Sequence, residues 1–445
     1  MSGPAVGIGY RFGDFILDAE RRLLSRLDGT PLPLPAAAID TLVYLVERAG
    51  ELVDKDSLVR AIWPHVNVVE NNLAQSISAL RRALGELPSD HRFIVTVPGR
   101  GYRFVAKVAT AARVELQRHP TDDTLAYQAY VTGWSALTRP GSHSLKAALR
   151  AFNEAVTRDP GFALAHTRLS HCYTLLGLFG IEAPHEVFPK ANAAILKALE
   201  LDEELAEAHA HHAQILTLYY FDDEGAERAL QRAMQINPQS SLVHHYVGLR
   251  SCAKGRIDDA LAAVRRAQAI EPLAPIFSAN IGMIYYYGRR YNEAVAQLQA
   301  TLAMEPPLDH ARSVLGRTYL RLGKTHKAIE QFERRRAITI GSVADLPAAH
   351  ALGGNRDEAI AGLRRLLNAA QERYVSPYDI ATIYAAMDDV PNALHWLERA
   401  VDLRDPTLPL LPVDPALDSL RSQPRFSNLV AALSRGDLLL SRPAN

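Results

Sequence analysis

Cysteine is scarce in this sequence of 445 residues, which contains only Cys172 and Cys252. Two cysteines exclude a disulfide scaffold and a zinc site with four cysteine ligands. Long apolar runs are missing too, because none reaches the roughly 18 residues that a membrane span needs. The first residues, MSGPAVGIGYRFGD, contain no apolar stretch like the core of a signal peptide. We therefore expect a cytoplasmic protein without a membrane partner.

An excess of either charge is missing as well, since 49 Lys and Arg residues balance 49 Asp and Glu residues. Any basic surface must therefore be local. Hydrophobic residues make up 48% of the chain and charged residues 22%, a composition that can bury a core and is not typical of disorder. The sequence also lacks the patterns of a catalytic triad, CxxC, HExxH or a glycine-rich nucleotide loop. We therefore predict neither an enzyme nor a cofactor.

A period of 34 residues dominates the second half of the chain. The same residue type recurs at this interval in four registers: Pro238, Pro272 and Pro306; Gly248, Gly282 and Gly316; Ala226, Ala260, Ala294 and Ala328; Tyr285 and Tyr319. Each unit has the apolar spacing of two helices joined by a turn. Because one unit cannot bury its apolar face alone, neighbouring units must stack.

The repeated residues, above all in LGRTYLRLGKTHKAIEQFERRRAI, resemble the tetratricopeptide repeat (TPR) family. The resemblance is strongest from about residue 206 to residue 338. Weaker units are visible on both sides, and the one at 163–203 carries an insertion. We expect a TPR solenoid of roughly eight units over residues 125–405. A C-terminal capping loop and helix should follow over residues 406–445 and cover the last repeat.

The resemblance to TPR proteins implies a concave groove that holds a peptide or a partner helix. Tyr286, Tyr287, Arg317 and Arg321 are the candidate partner-binding residues, because aromatic and Arg side chains are common interface anchors. We expect Tyr285 to lie in the core and the other two tyrosines to lie at the surface. A solvated helix face would explain the same residues equally well.

Residues 1–107 do not follow the repeat. The runs YRFGDFILD and RRLLSRL alternate like strands and are separated by a turn at Ala19-Glu20. Three helices follow, the second with Asp54 as its N-cap and the third with a capping box at Asn67 and Glu70. The third helix carries a buried stripe, made of Leu73, Ile77, Leu80 and Leu84. FIVTVPGRGYRFVA is predicted to be a hairpin.

Three helices and a hairpin after a small sheet form the order of a winged helix-turn-helix. NNLAQSISALRRAL followed by RFIVTVPGRGYRFVA is similar to the effector domain of the OmpR/PhoB response-regulator family, over about residues 9–107. The predicted fold class is therefore an α+β winged helix domain, a linker at 108–124 and an all-α TPR superhelical solenoid, mostly α overall. Bacterial transcription activators of the invasion-regulator type show the same fusion. With about eight residues upstream, we expect no phosphoacceptor domain.

The third helix is the candidate reading element for double-stranded DNA. With its leucine stripe inward, the outward arc carries Asn71, Gln75, Ser78 and Arg82. Asn and Gln side chains can contact adenine edges in the major groove. Asn71, Gln75 and Ser78 are therefore the candidate base contacts, and Arg82 is a candidate phosphate contact.

Two further arginines belong to the predicted DNA-binding set. Arg81 lies nearer the buried edge of the third helix and either caps a core carboxylate or contacts the DNA backbone. The resemblance implies that the hairpin is a wing that enters the minor groove, with Arg100 at its tip. Residues 71–107 contain six Lys and Arg against two acidic residues, which places local positive charge on this half of the domain.

These patterns favour a bacterial transcriptional regulator that binds promoter DNA through the winged helix. Its repeats would bind a signal, a protein or peptide partner, or a second copy of the chain, and the family resemblance implies a dimer on tandem half-sites. One alternative is a scaffold whose winged helix makes only protein contacts. Another is a metal or redox sensor that uses His209 and His212, or Cys172 and Cys252. Histidines that fill the polar ridge between helices explain the imidazoles without a metal, and the Gly323-Lys324-Thr325 run is interpreted as a turn.

Overall fold

The structure is a computed structural model. It describes residues 9–19, 22–26, 32, 34–63, 71–87, 89–110, 121–137, 141–272, 274–304, 308–335 and 342–435. The chain divides into two compact units. The first comprises Met1–Arg139 and Arg150–Phe162, and the second comprises Pro140–Leu149 and Ala163–Asn445.

The amino-terminal elements follow the order of a winged helix domain and continue into a first helix pair. They are β1 (Gly9–Phe12), β2 (Phe15–Asp18), β3 (Leu23–Arg26), α1 (Ala36–Glu47), β4 (Leu52–Asp54), α2 (Lys55–Ile62), α3 (Asn71–Ala83), β5 (Ile94–Val97), β6 (Gly101–Phe104), β7 (Ala109–Thr110), α4 (Thr124–Leu137) and α5 (Ser142–Arg158). The strands form two sheets with the orders β3-β2-β1-β7 and β4-β6-β5.

The first predicted strand is in fact a hairpin of two strands. Gly13 has a left-handed φ of +52°, and Phe12 consequently pairs with Phe15 across the turn. The sequence did not reveal this turn, because apolar and polar residues alternate in the same register before and after Gly13-Asp14. Glu20 of the predicted Ala19-Glu20 turn lies outside the described residues. The predicted capping box at Asn67 and Glu70 lies outside them as well.

The three helices pack as their apolar spacing predicts. The stripe of α3 is buried and joins the core beneath α1. Asp54 caps α2, since its Oδ1 accepts a hydrogen bond from the Ser57 amide at 2.8 Å. A Cβ atom on Gly101 would overlap the backbone of Val53, so β4 can pair with β6 only because this residue is glycine. The wing is thereby fixed to the strand that precedes α2.

The first helix pair, α4 and α5, packs through aromatic rings. The ring of Tyr130 lies 5.7 Å from that of Phe152 and 5.0 Å from that of Phe162. A Cβ atom on Gly133 would meet the Phe152 ring at 2.8 Å. A small residue on the first helix therefore admits a large one from the second, as in the repeats that follow.

The second unit continues with helices in pairs. They are α6 (Ala163–Leu178), α7 (Pro184–Leu201), α8 (Ala206–Ile215), α9 (Asp223–Ile236), α10 (Ser241–Ala253), α11 (Ile257–Ile270), α12 (Pro275–Tyr287), α13 (Tyr291–Leu302), α14 (Asp309–Arg321), α15 (Thr325–Glu333), α16 (Asp345–Leu352), α17 (Arg356–Ala369), α18 (Pro377–Ala386), α19 (Val390–Asp402) and α20 (Pro424–Arg435). A π-helical turn, Leu216–Tyr220, extends α8. In the described part of the chain, α4 to α19 form eight successive pairs.

The 34-residue period has a direct steric explanation. A Cβ atom on Gly282 would meet Leu298 of the next helix at 2.5 Å, and one on Gly316 would overlap the Phe332 ring. The recurring alanines of the second helices are fully buried. The small residues thus allow the two helices of each unit to approach closely, as the sequence pattern predicts.

The chain after α19 does more than cover the last repeat. We call residues 405–421 the return segment. Its leucines Leu408, Leu411, Leu417 and Leu420 are buried in a core shared with α18 and α19. The segment then runs along the first helices of earlier repeats, where Asp418 pairs at 2.6 Å with Arg289 in the turn after α12. The predicted C-terminal cap is therefore also a lining of the array.

The predicted fold class is confirmed. A small winged domain with two β-sheets precedes a long helical array with a TPR-like pairing of helices. Among the helices in the described ranges, none is both long and apolar enough to cross a membrane.

Candidate nucleic-acid interface and the inner face of the repeats

The outward face of α3 carries the predicted base-reading residues. Gln75, Ser78 and Arg82 are exposed, and their side chains make no hydrogen bond or ion pair with any other residue that the structure describes. The side chain of Asn71 lies outside the described part. Asn72 is exposed at the edge of the same face, and the sequence analysis did not include it. We call Gln75, Ser78 and Arg82 the reading row.

The wing presents the predicted arginine beside this helix. Arg100 lies in the turn between β5 and β6 and is exposed. Its amide donates a hydrogen bond to the Val97 carbonyl at 3.0 Å and closes the turn. The tip of the hairpin therefore offers a free guanidinium on a short, well-defined loop.

Arg81 braces the helix against the wing. Its Nη2 donates hydrogen bonds to the Ile94 carbonyl at 2.8 Å and to the Thr96 hydroxyl at 2.9 Å. From the sequence, the predicted partner of Arg81 was a core carboxylate or the DNA backbone. In the structure, Arg81 instead binds the first strand of the wing, β5. Because α3 and β5 share this guanidinium, the wing is held at a defined distance from the reading row.

Glu86 provides a second brace, which the sequence analysis missed. Its side chain is only 1% exposed, and its Oε1 accepts a hydrogen bond from the Phe93 amide at 2.7 Å. The Ile94 amide donates to the same carboxylate. The only signal in the sequence was an acidic residue directly after Gly85, where α3 ends. Buried charge that accepts backbone amides stiffens the start of the wing.

Four phenylalanines complete the support of this surface. The rings of Phe93 and Phe104, in the wing, contact the Phe12 ring of β1 at 6.0 and 5.0 Å. Phe15 joins them, with its ring 5.5 Å from that of Phe93. The amino-terminal sheet, the wing and the recognition helix therefore form one packed block.

The electrostatics of this block are locally positive. Within the described residues of 71–107, five cations are exposed against one exposed carboxylate, that of Asp90. The cations are Arg82, Arg92, Arg100, Arg103 and Lys107. Glu86 contributes little to the outer field because it is buried and hydrogen-bonded. Such a patch on a neutral chain suits an anionic partner.

The predicted partner-binding residues lie together, but inside the array. Tyr286 and Tyr287 are 3% and 5% exposed, so the prediction that these tyrosines lie at the surface was wrong. Arg317 Nε donates to Asp345 Oδ1 at 2.7 Å, and Arg321 Nη1 donates to the carbonyl of Pro415 at 3.0 Å. The first helices of the repeats present these residues on one surface, which we call the inner face.

The return segment is the reason why the two tyrosines are buried. It lies on the inner face, where Tyr378 of α18 donates to Asp414 at 3.0 Å. Burial raises the pKa of the Tyr287 and Tyr378 hydroxyls far above their usual value. The groove that was predicted for a partner is thus occupied by the chain itself.

The histidines are hydrogen-bonded, and His211 and His245 among them are buried. The Nδ1 of His211 lies 3.1 Å from the Tyr246 hydroxyl, and the Nε2 of His245 accepts from the Asn280 amide at 2.6 Å. His209 and His244 each donate to a backbone carbonyl six residues earlier. Burial lowers the pKa of His245 to about 4, so this imidazole is neutral at pH 7. These contacts agree with imidazoles that fill the polar ridge between helices.

The metal and redox alternative finds no support in the described geometry. No group of three or more His, Cys, Asp or Glu side chains in the described ranges is placed to hold a metal ion. Cys172 and Cys252 are both buried, and burial raises the pKa of each thiol to about 12. Neither is therefore a thiolate at pH 7, the form that oxidants attack. Gly323-Lys324-Thr325 lies at the turn between α14 and α15.

Comparison with known proteins agrees with the geometry of the amino-terminal block. The family model "Transcriptional regulatory protein, C terminal" matches residues 29–104. The transcriptional regulator HilA of Salmonella typhimurium is 40% identical over 123 residues, which cover 28% of this chain and 21% of HilA. The DNA-binding domain of Escherichia coli CadC is 31% identical, and the match covers 24% of this chain and 100% of that domain with a TM-score of 0.22.

A more distant likeness extends over most of the chain. A human IFIT1 dimer with m7Gppp-AAAA is 15% identical, with a TM-score of 0.51 over 87% of this chain and 94% of that one. At that identity the likeness shows the fold alone. The chain spans about a fifth of the length of the curated relatives it matches.

A winged helix with a polar recognition helix and a braced wing defines the DNA-binding domains of transcriptional regulators. The amino-terminal domain belongs to the OmpR/PhoB-type family of these domains, and the chain joins it to a TPR-type helical array.

Proposed function

We propose that this protein is a transcriptional regulator that binds promoter DNA through α3 and the wing. The observation that carries the proposal is the reading row beside Arg100. Gln75, Ser78 and Arg82 are exposed and have no partner among the described residues, on a helix whose other side is packed into the core. A polar row without internal partners on a braced helix is available to a duplex.

The geometry suits recognition in the major groove. An α-helix fits this groove, where Gln or Asn side chains pair with adenine and Ser can contact several bases. Gln75 and Ser78, together with Asn71, therefore contact base edges, and Arg82 contacts a phosphate. Arg100 inserts into the adjacent minor groove, which attracts arginine where it is narrow. Arg81 contributes indirectly, by holding the wing in place.

The relatives support the same reading of the domain. HilA is by its description a transcriptional regulator, and the matched domain of CadC is by its description a DNA-binding domain. The matches cover about a quarter of the chain, 28% for HilA and 24% for the CadC domain, so these relatives support a DNA-binding part and carry no information on the rest.

The repeat array acts in this proposal as the receiving module for a signal or a partner. Its inner face is covered by the return segment, and a cavity remains between them. A ligand at this place contacts both the repeats and the return segment, and so changes the surface that the array offers. We place the protein in the cytoplasm and expect two copies on tandem half-sites.

The test compares two arginines of the same domain in the full chain. Arg82→Ala removes a cation from the reading row, whereas Arg48→Ala removes one from the end of α1, where the guanidinium donates to the Tyr44 carbonyl and to Glu47. Binding to genomic DNA fragments is measured by gel shift over a range of salt concentrations. We expect Arg82→Ala to lower the salt slope by about 0.9 and Arg48→Ala to leave it unchanged.

Arg100→Ala should behave like Arg82→Ala. If both variants bind every fragment as the parent does at low salt, the reading surface is assigned wrongly. If the parent chain binds no fragment at all, a scaffold that uses the winged helix for protein contacts becomes the better account.

A further inference from the structure

A cavity lies between the inner face and the return segment, and it offers about 60 Å³ of space to the centre of a water-sized molecule. Binding sites for small molecules carry a few polar groups that fix the ligand. Helices α12, α14, α16 and α18 supply one side, and Thr407, Asp414 and Ala416 of the return segment supply the other. The chain thus builds this space from residues far apart in sequence.

Three buried carboxyl groups line this space, those of Asp345, Asp379 and Asp414, and a fourth, that of Asp405, lines the adjoining cavity. Three of the four are fully engaged. Asp345 pairs with Arg317 at 2.7 Å and with Arg335 at 2.6 Å. Asp414 accepts from the Tyr378 hydroxyl and from the Ala416 amide.

Asp405 accepts from the hydroxyls of Tyr374 and Ser376 and from the Thr407 amide. It is therefore as well satisfied as Asp345 and Asp414.

Asp379 is the exception. It is 5% exposed and lines this cavity and the adjoining one, yet its carboxyl group makes no hydrogen bond with any residue that the structure describes. Its position on the cavity wall points to a partner that comes from outside the chain.

A free donor lines the same cavity. Arg321 uses Nη1 for the carbonyl of Pro415, while its Nε is buried and has no partner within the described chain. Beside it, the hydroxyls of Tyr286 and Tyr287 make no hydrogen bond with a described residue. The cavity thus offers one unpaired carboxyl group, one unpaired guanidinium N–H and two aromatic walls.

We propose that this cavity binds a free α-amino acid, whose ammonium group pairs with Asp379 and whose carboxylate pairs with Arg321. Once Asp379 has lost its proton on binding, the two groups have opposite charge, as a zwitterion requires, and the rings of Tyr286 and Tyr287 contact the side chain of the ligand. This inference rests on the proposed function in one respect, because it names the class of signal molecule that the array binds.

The protonation state of Asp379 predicts a measurable release of protons when the ligand binds. Burial and the nearby Asp405 raise its pKa to about 8, and Arg317 opposes the rise while Asp345 and Asp414 add to it. At pH 7 the group is therefore mostly protonated. An ammonium group that pairs with it must displace the proton, so binding should release close to one proton per site.

The experiment uses the full chain and each of the twenty protein amino acids as probes in titration calorimetry. At least one should bind, and its affinity should fall at least about tenfold in Asp379→Asn and in Arg321→Gln, the energy of one charged contact. Asp357→Asn and Arg356→Gln on the exposed surface of α17 are the matched controls and should bind like the parent. Asn resembles the protonated form of Asp379, so this variant should fold, which circular dichroism checks.

Two further probes test separately whether the amino group and the carboxylate of the ligand contribute to binding. The amine that lacks the carboxylate and the acid that lacks the amino group should each bind more weakly than the amino acid itself. Titration in buffers of different ionisation enthalpy should show the released proton in the parent and no release in Asp379→Asn.

The proposal is overturned if none of the twenty binds, if a half molecule binds as tightly as the whole, or if the folded Asp379→Asn variant binds unchanged. None of these measurements contains DNA. A chain that binds DNA but no amino acid refutes this inference alone, and a chain that binds an amino acid but no DNA refutes the proposed function alone.

Discussion

The reading row of the winged helix and the inner face of the repeats both carry polar residues on helices, yet their side chains have opposite surroundings. Gln75, Ser78 and Arg82 face solvent and have no partner in the part of the chain that the structure describes. Arg317 and Asp345, in contrast, are paired with each other and covered. The first surface is ready for a large external partner, whereas the second has been closed by the chain itself.

The difference shows how little residue type alone says about accessibility. Arg82 and Arg317 look alike in a helical pattern, since each lies among apolar residues at amphipathic spacing. What separates them is a distant segment of the chain, which reaches the inner face and has no counterpart on α3 within the described residues. A surface is accessible to a partner only when no other segment of the fold covers it.

The largest expected effect comes from removing the ion pairs of Asp345 on the inner face. Asp345→Ala leaves Arg317 and Arg335 buried without their shared carboxylate, which should cost about 3–5 kcal/mol of unfolding free energy in the array. The measurement is urea denaturation followed by far-ultraviolet circular dichroism, with Asp357→Ala as the exposed control. A loss equal to that of the control would mean that the charges on the inner face are not coupled.

The second effect concerns the support of the reading surface. Glu86→Ala leaves the amides of Phe93 and Ile94 without an acceptor, which should cost about 1–3 kcal/mol of stability. Its DNA affinity should also fall although Glu86 is buried, because the start of the wing loosens. Thermal denaturation and gel shift together test this. Unchanged DNA affinity in a destabilised variant would show that the wing is not needed for binding.

The third effect isolates the reading row itself. Gln75→Ala should lower the affinity for a specific site by about 1–3 kcal/mol, and its unfolding free energy should stay within about 0.5 kcal/mol of the parent value because the side chain is exposed. Competition with single base-pair variants of the site should show relaxed preference at one position. Equal affinities of parent and variant would remove Gln75 from the set of base contacts.

The smallest effect concerns the pH dependence of the unfolding free energy of the array. The pKa of Asp379 in the folded chain, about 8, lies above its unfolded value, so folding takes up a proton between about pH 4 and pH 8 and stability falls as pH rises through this range. Asp379→Asn removes this contribution. The raised pKa of buried Asp414 acts in the same direction and remains in the variant.

Urea denaturation at several pH values should therefore show a shallower loss of stability for Asp379→Asn than for the parent. Parallel pH profiles would contradict the assignment of this group.

Local spacing made the reading surface predictable. The leucine stripe of α3 gives the buried side from four residues within twelve positions, and the opposite face follows from the geometry of a helix. The 34-residue period likewise predicted the close packing at Gly282 and Gly316, since the same small residue must recur wherever the same contact recurs.

Contacts between distant segments were not predictable in this way. Arg289 and Asp418 are 129 residues apart, and no period connects them. The burial of Tyr287 depends on the same return segment and so could not be foreseen from α12 alone. Glu86 was missed for a related reason, because a lone carboxylate acquires its role only when the amides of the wing converge on it.

The most direct test of the central claim is a quantitative selection of genomic DNA fragments by the full chain near physiological salt, in parallel with Gln75→Ala/Ser78→Ala. The account predicts that the parent retains a small set of fragments far above the background. It also predicts that the double variant, although folded, loses this preference while keeping weak binding to all fragments. Retention of the same fragments by parent and variant, or of none by the parent, would contradict it.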